Sequence, residues 1–137
     1  MDYAVWNALH DGGIESVHGK IPGDVSVTID IGYLCGKLPT SAKQLVVHLL
    51  QCSRFEFQPF EGDRVVDLEA MGARDIEILS ADLEDNLVTV CCTDGTLRLA
   101  YENVEIRLVE GIVVTQAELE AAADRYWAEW SLKNTPR

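Results

Sequence analysis

The sequence has few basic residues. Its 137 residues include 11 Lys and Arg against 23 Asp and Glu, which gives a formal net charge of −12. A field of this sign repels phosphate backbones and anionic lipid headgroups, so we expect neither nucleic acid nor a membrane surface as a partner. The excess of acid is larger after residue 68, which makes the second half the better candidate for contacting a basic protein. Acidity can also serve solubility alone.

Long hydrophobic runs are missing as well, and we expect no targeting signal. The segment from Tyr3 to Leu9 is interrupted by Asn7 and followed by His10, and no other run approaches membrane-spanning length. The cysteines show no C-x-x-C spacing, and neighbouring strand residues such as Cys91 and Cys92 point to opposite faces. We therefore expect free thiols in a reducing compartment, as in a bacterial-type cytoplasmic protein.

Catalytic signatures are equally scarce. The chain contains no G-x-S-x-G motif, and its single Gly-Gly pair lacks the context of a phosphate-binding loop. His10, His18 and His48 have no recognised metal-ligand spacing to one another or to cysteine. A triad of Cys52, His48 and Glu56 on one strand would place the side chains about 13 Å apart, too far for direct proton transfer. We expect no enzyme activity, no cofactor and no metal.

Alternation of apolar and polar residues is the strongest positive signal. Between Asp24 and Ile31 every second residue is apolar, which is typical of a half-buried strand. The same period returns up to Leu108. A phase slip near Ile78 indicates a β-bulge, and one at Asn103 indicates a bulge or a sharp bend. Asp94-Gly95 predicts a hairpin with a type I′ turn.

The end of the chain has a helical pattern instead. Thr115 and Glu118 have the spacing of a capping box. An apolar stripe follows at three- and four-residue intervals and includes Trp127 and Trp130. We expect this stripe to pack on the sheet, with the two tryptophans as its main anchors.

Together these patterns predict a mainly β (α+β) fold and a single domain over residues 1–137. We expect a curved antiparallel sheet, or a partly open β-barrel or sandwich, of roughly seven or eight strands. A short N-terminal helix should precede the sheet. The C-terminal amphipathic helix should pack on it.

A possible binding surface is predicted on the longest β-run, residues 44–58, and on the loop that follows. Polar residues on one face of that run would share a sheet face with Asp30, and the Pro59 to Arg74 loop would add carboxylates. The predicted surface residues are His48, Arg54, Glu56, Gln58, Asp30, Asp63 and Asp67. A solvated face with ordinary cross-strand charge pairs is the alternative interpretation.

These expectations favour a non-enzymatic protein-binding module, such as an acidic immunity-like or antitoxin-like neutraliser of a basic partner. The alternative is a small-molecule carrier or enzyme with an apolar pocket between the curved sheet and the terminal helix. Tyr33, Phe55, Phe57 and Tyr101 would line that pocket. A homo-oligomer formed through an exposed edge strand is a third hypothesis.

Overall fold

A computed structural model describes residues 2–134 of the chain. The fold combines a β-sheet with helices. Within that range the chain forms nine strands and four helices. In chain order they are α1 (Ala4–Ala8), β1 (Gly13–Gly19), β2 (Gly23–Asp30), α2 (Gly32–Cys35), β3 (Gln44–Cys52), β4 (Arg54–Pro59), α3 (Leu68–Gly72), β5 (Ile76–Glu84), β6 (Leu87–Cys92), β7 (Gly95–Ala100), β8 (Asn103–Leu108), β9 (Val113–Val114) and α4 (Gln116–Asn134). No helix in the described range is long and apolar enough to cross a membrane.

The strands form one open sheet in the order β4-β7-β6-β5-β1-β2-β3-β8-β9. Every pairing is antiparallel. The prediction of a mainly β, antiparallel fold with a short helix before the sheet and a longer helix after it is therefore confirmed, with one or two strands more than expected. The predicted bulge near Ile78 is also present, because the β5–β6 register shifts between Ile78 and Ser80.

Two neighbouring β-runs are interrupted at matching positions. The run predicted as one strand over 44–58 is divided at Ser53 into β3 and β4. Close to this break, the backbone of Gln51 has a positive φ of 52°. Ser53 N–H donates to the carbonyl of Ala100 at 2.8 Å. The break between β3 and β4 therefore lies beside the break between β7 and β8. The buried hydrophobic side chains of the strands and helices form one cluster.

Three of the aromatic rings proposed as a pocket lining belong to this core. Phe55, Phe57 and Tyr101 are buried. Tyr33 is half-buried and packs on Tyr126 of α4 with ring centroids 4.4 Å apart. The concavities described below are lined by other residues.

The hairpin predicted at Asp94-Gly95 forms between β6 and β7, but its turn is not the predicted type I′. Neither Asp94 nor Gly95 has a positive φ, whereas Asp85 and Asn86 have φ of 49° and 63° and join β5 to β6. The glycine of the Asp94-Gly95 pair serves close packing instead, since a Cβ at Gly95 would lie 2.2 Å from the carbonyl oxygen of Gln58. Spacing alone cannot distinguish these two uses of a turn dipeptide.

The terminal helix begins as predicted but is buried differently. Thr115 Oγ1 accepts from Glu118 N–H at 3.1 Å, and the Glu118 carboxylate accepts from Thr115 N–H at 3.2 Å, which completes the capping box. Leu119 joins the core, and α4 contacts α1 and α2. The expectation that Trp127 and Trp130 are buried anchors is wrong, because they are 36% and 50% exposed. The main contacts of α4 are with α1 and α2, and they leave part of both tryptophan side chains open to solvent.

Candidate functional site

The predicted surface residues do not form one continuous surface. His48 lies on β3 between β2 and β8, with its Nδ1 3.1 Å from the hydroxyl of Ser26 and with Glu105 as its cross-strand neighbour. Asp30 lies at the end of β2, beside a separate concavity that also involves Gly72 of α3. Arg54, Glu56 and Gln58 are on β4, which pairs only with β7 among the described strands. The bend between β3 and β4 separates residues that the sequence places on one line.

Glu56 is the centre of the charges on β4. It is only 8% exposed although it is charged. Arg54 donates to its Oε1 through Nε at 2.9 Å, and Arg64 Nη1 lies 3.6 Å from its Oε2. Arg98 is its cross-strand neighbour on β7. Because a buried carboxylate needs such partners, Glu56 fastens residue 64 of the following loop to the sheet.

Asp63 and Asp67 lie on that loop, residues 59–74, which is attached to the sheet at several points. Val65 pairs with Phe57 through two backbone hydrogen bonds of 2.9 and 2.8 Å. Asp67 caps α3 by accepting from Glu69 N–H at 3.1 Å. Met71 is fully buried. The loop is long and largely exposed, but its backbone is hydrogen-bonded to the rest of the fold at residues 60 and 65, and Met71 packs in the core.

The charges of the 59–74 loop are distributed unequally. Both of its arginines form ion pairs outside the loop, Arg64 with Glu56 and Arg74 with Asp94 at 3.2 Å. Its four carboxylates are exposed and have no ion-pair partner within residues 2–134: Glu61, Asp63, Asp67 and Glu69. The loop therefore presents uncompensated negative charge to solvent.

Large apolar side chains accompany these carboxylates. Phe60 and Val66 are 72% and 61% exposed. Val66 also borders a groove of about 390 Å³ between the loop and the β1–β2 hairpin. The other residues that line this groove are Val17, Gly19, Ile21, Asp67, Leu68 and Glu69. We call the groove, together with Phe60 and the four loop carboxylates, the loop surface.

A second candidate surface was not predicted as a site. On α4, Trp127 contacts the rings of Tyr33, Tyr126 and Trp130 at centroid distances of 5.7, 5.0 and 6.0 Å, and the His10 imidazole at 6.0 Å. We call these five rings the aromatic cluster. The three- and four-residue spacing of the stripe could have revealed it, but the same spacing also predicts a buried face.

The thiols and the possible metal ligands are the remaining candidates for chemistry. Burial is the main cause that raises the pKa of the Cys35 thiol to about 11 and of the Cys92 thiol to about 12. Burial likewise raises the pKa of Cys52, so these thiols are poor nucleophiles. Within residues 2–134 no group of three or more His, Cys, Asp or Glu side chains could hold a metal ion.

Comparison with known proteins assigns the chain to no family. No protein-family model, curated protein or solved structure matches the chain. Function must therefore be inferred from the loop surface and the aromatic cluster themselves.

Proposed function

We propose that this protein is a non-enzymatic binding module that engages a basic protein through the loop surface, as an immunity-like or antitoxin-like neutraliser would. The observation that carries the proposal is the charge separation within the 59–74 loop. Its arginines are bound to Glu56 and Asp94, while its four carboxylates face solvent without an ion pair in the described chain. A basic partner would provide the missing counter-charges.

The apolar side chains at the same place supply contact area. Phe60 and Val66 project from a loop whose backbone is held by the Phe57–Val65 pairing and by α3. Exposed apolar groups with a polar rim are typical of protein interfaces. Because these contacts already hold part of the loop backbone, less conformational entropy would be lost on binding.

Electrostatics should act mainly on the association rate. Complementary charge accelerates encounter by roughly 10- to 1,000-fold at low ionic strength, and about 0.1 M salt screens exposed charges over roughly 10 Å. Acidity elsewhere on the chain, whose total charge is −12, would add to the long-range attraction.

The decisive experiment compares two sets of neutralised carboxylates. The immobilised chain is used to isolate a partner, and association rates are then measured with purified components at several salt concentrations. In one variant Glu61→Gln, Asp63→Asn and Glu69→Gln remove three loop charges while the cap residue Asp67 is kept. The matched control, Asp82→Asn, Glu84→Gln and Asp85→Asn, removes three exposed charges from the β5–β6 hairpin.

We expect the loop variant to associate about tenfold or more slowly and to lose most of its salt dependence, because steering depends on local charge. The control should change the rate only slightly. A rate that is independent of salt, or that falls equally in both variants, would contradict the proposed role of the loop surface.

A further inference from the structure

The groove between α1 and α4 combines an aromatic wall with two carboxylates. Its volume is about 300 Å³, at the small end of the range for ligand sites. The residues that line this α1–α4 groove are Ala4, Asn7, Ala8, Glu120, Ala123, Asp124 and Trp127. None of these residues carries a positive charge. The groove shares no residue with the loop surface.

Its polar groups include two carboxylates without a counter-charge. The Asn7 amide already bonds the backbone of Ala81 on β5, donating at 3.1 Å and accepting at 2.8 Å. Glu120 and Asp124 are exposed one helical turn apart, and neither has an ion-pair partner in residues 2–134. Glu120 accepts one hydrogen bond, from Gln116 at 3.0 Å.

The basic side chains closest to Glu120 and Asp124 in the α4 region contact other groups. Arg125 donates to the carbonyl of Lys37 at 2.7 Å, and Lys37 in turn forms an ion pair with Glu129. These contacts fasten α4 to the segment after α2. They leave the charge of Glu120 and Asp124 uncompensated.

The aromatic wall is held in place before any ligand arrives. Trp127 makes an edge contact with Tyr126 at 5.0 Å and lies 5.7 Å from Tyr33, while 36% of its surface stays open to solvent. A fixed, partly exposed indole is the preferred ring for a cation, and arginine is the cation that both stacks on a ring and pairs with carboxylates.

We propose that the α1–α4 groove binds an arginine side chain of a protein partner, with the guanidinium against Trp127 and its N–H groups donating to Glu120 and Asp124. Charge complementarity selects a cation, and the planar indole selects guanidinium over the compact, strongly hydrated ammonium of lysine. The site does not depend on the loop surface and goes beyond the proposed function.

The test uses short peptides and the full chain. Acetyl-Gly-Arg-Gly-amide is titrated while the indole N–H resonance of Trp127, assigned with Trp127→Phe, is followed by NMR. The peptide with citrulline in place of arginine removes the charge and keeps the shape, and a lysine peptide tests the choice of cation. We expect saturable shifts for arginine, at least about fivefold weaker binding for lysine, and none for citrulline.

Variants of the groove make the test specific. Glu120→Gln with Asp124→Asn should weaken arginine binding by about tenfold, because two charge-assisted hydrogen bonds are lost. Asp82→Asn with Glu84→Gln removes the same charge elsewhere and should have little effect. Equal binding of the citrulline or lysine peptide, equal losses in the two double variants, or no saturable shift would overturn the proposal. The loop variants described above should leave this titration unchanged, which separates the two proposals.

Discussion

The buried indole N–H of Trp6 donates a hydrogen bond to the hydroxyl oxygen of Tyr101 at 3.2 Å. The hydroxyl of Tyr101 donates in turn to the carbonyl of Asp2. This chain of hydrogen bonds joins α1 to the connection between β7 and β8, residues that are 95 positions apart. It satisfies a polar group on Trp6, which is fully buried.

Replacing Tyr101 by Phe should show how much this hydrogen-bond chain contributes to the free energy of unfolding. Tyr101→Phe keeps the ring but leaves the Trp6 N–H without its acceptor, so we expect the free energy of unfolding to fall by about 1–3 kcal/mol. Urea denaturation measures the change. Tyr3→Phe, at a position that is 36% exposed, is the matched control and should have little effect. Equal stabilities of the two variants would contradict this assignment.

Stability should decline in strongly alkaline solution. Burial is the main cause that raises the pKa of Tyr33 from 10.0 to about 12, and the negative charge of Asp11 adds to it. The unfolded chain therefore releases this proton at lower pH than the folded chain, so stability is complete below pH 10 and is lost between about pH 10 and 12. Denaturation across this range should show a smaller loss for Tyr33→Phe. An unchanged pH dependence in that variant would count against the pKa shift.

Thiol modification should distinguish one cysteine from the rest. Cys91 is exposed, whereas Cys35, Cys52 and Cys92 are buried. Because burial also raises the pKa values of the three buried thiols, we expect Ellman's reagent to modify Cys91 rapidly and the others only after unfolding. The Cys91→Ser variant should lose the rapid phase. Rapid modification that persists in this variant would show that a buried thiol is accessible.

Gly95 should be intolerant of a side chain. A Cβ there would lie 2.2 Å from the carbonyl oxygen of Gln58 on β4, so the β4–β7 pairing would have to move. We expect Gly95→Ala to lower the free energy of unfolding by about 1–3 kcal/mol. Gly13→Ala, where an added Cβ meets nothing within 4 Å, is the control. A similar loss of unfolding free energy at both positions would mean that the close approach of Gly95 to Gln58 is not the cause.

Loss of the Glu56 carboxylate charge should loosen the 59–74 loop. Glu56→Gln would weaken the ion pairs with Arg54 and Arg64, which are exposed enough to be solvated afterwards. We therefore expect a local effect of about 1 kcal/mol, seen as faster hydrogen exchange of the Val65 amide that bonds Phe57. Glu105→Gln, which affects a similar pair with Arg107 on β8, should leave that amide unchanged. Equal exchange rates in both variants would refute the anchoring role.

Much of the secondary structure could be predicted because its causes are local. Alternation over Asp24 to Ile31 is a direct consequence of strand geometry, and β2 covers nearly the same residues. The Thr115–Glu118 capping box depends on atoms three residues apart, and it forms as predicted. The four cysteines are free, as the lack of motif spacing indicated.

The candidate site could be predicted only in part. Asp63 and Asp67 are on the loop surface, but the break at Ser53 separates His48 from Glu56, and Asp30 lies at the end of β2 beside another concavity. The sequence alone could not locate that break, because it follows from the pairing of β3 with β8 and of β4 with β7. The ion pairs that leave the loop carboxylates uncompensated join residues from separate elements.

Local periodicity thus determined by itself that the chain makes antiparallel strands followed by a capped helix, because strand pleat and helix capping need only nearby residues. Tertiary structure decided which apolar residues are covered. The stripe on α4 is continuous in sequence, yet Leu119 is buried and Trp130 is half exposed. The reason is physical: burial depends on whether another element occupies the space above a side chain, and here α1 and α2 cover only part of the helix.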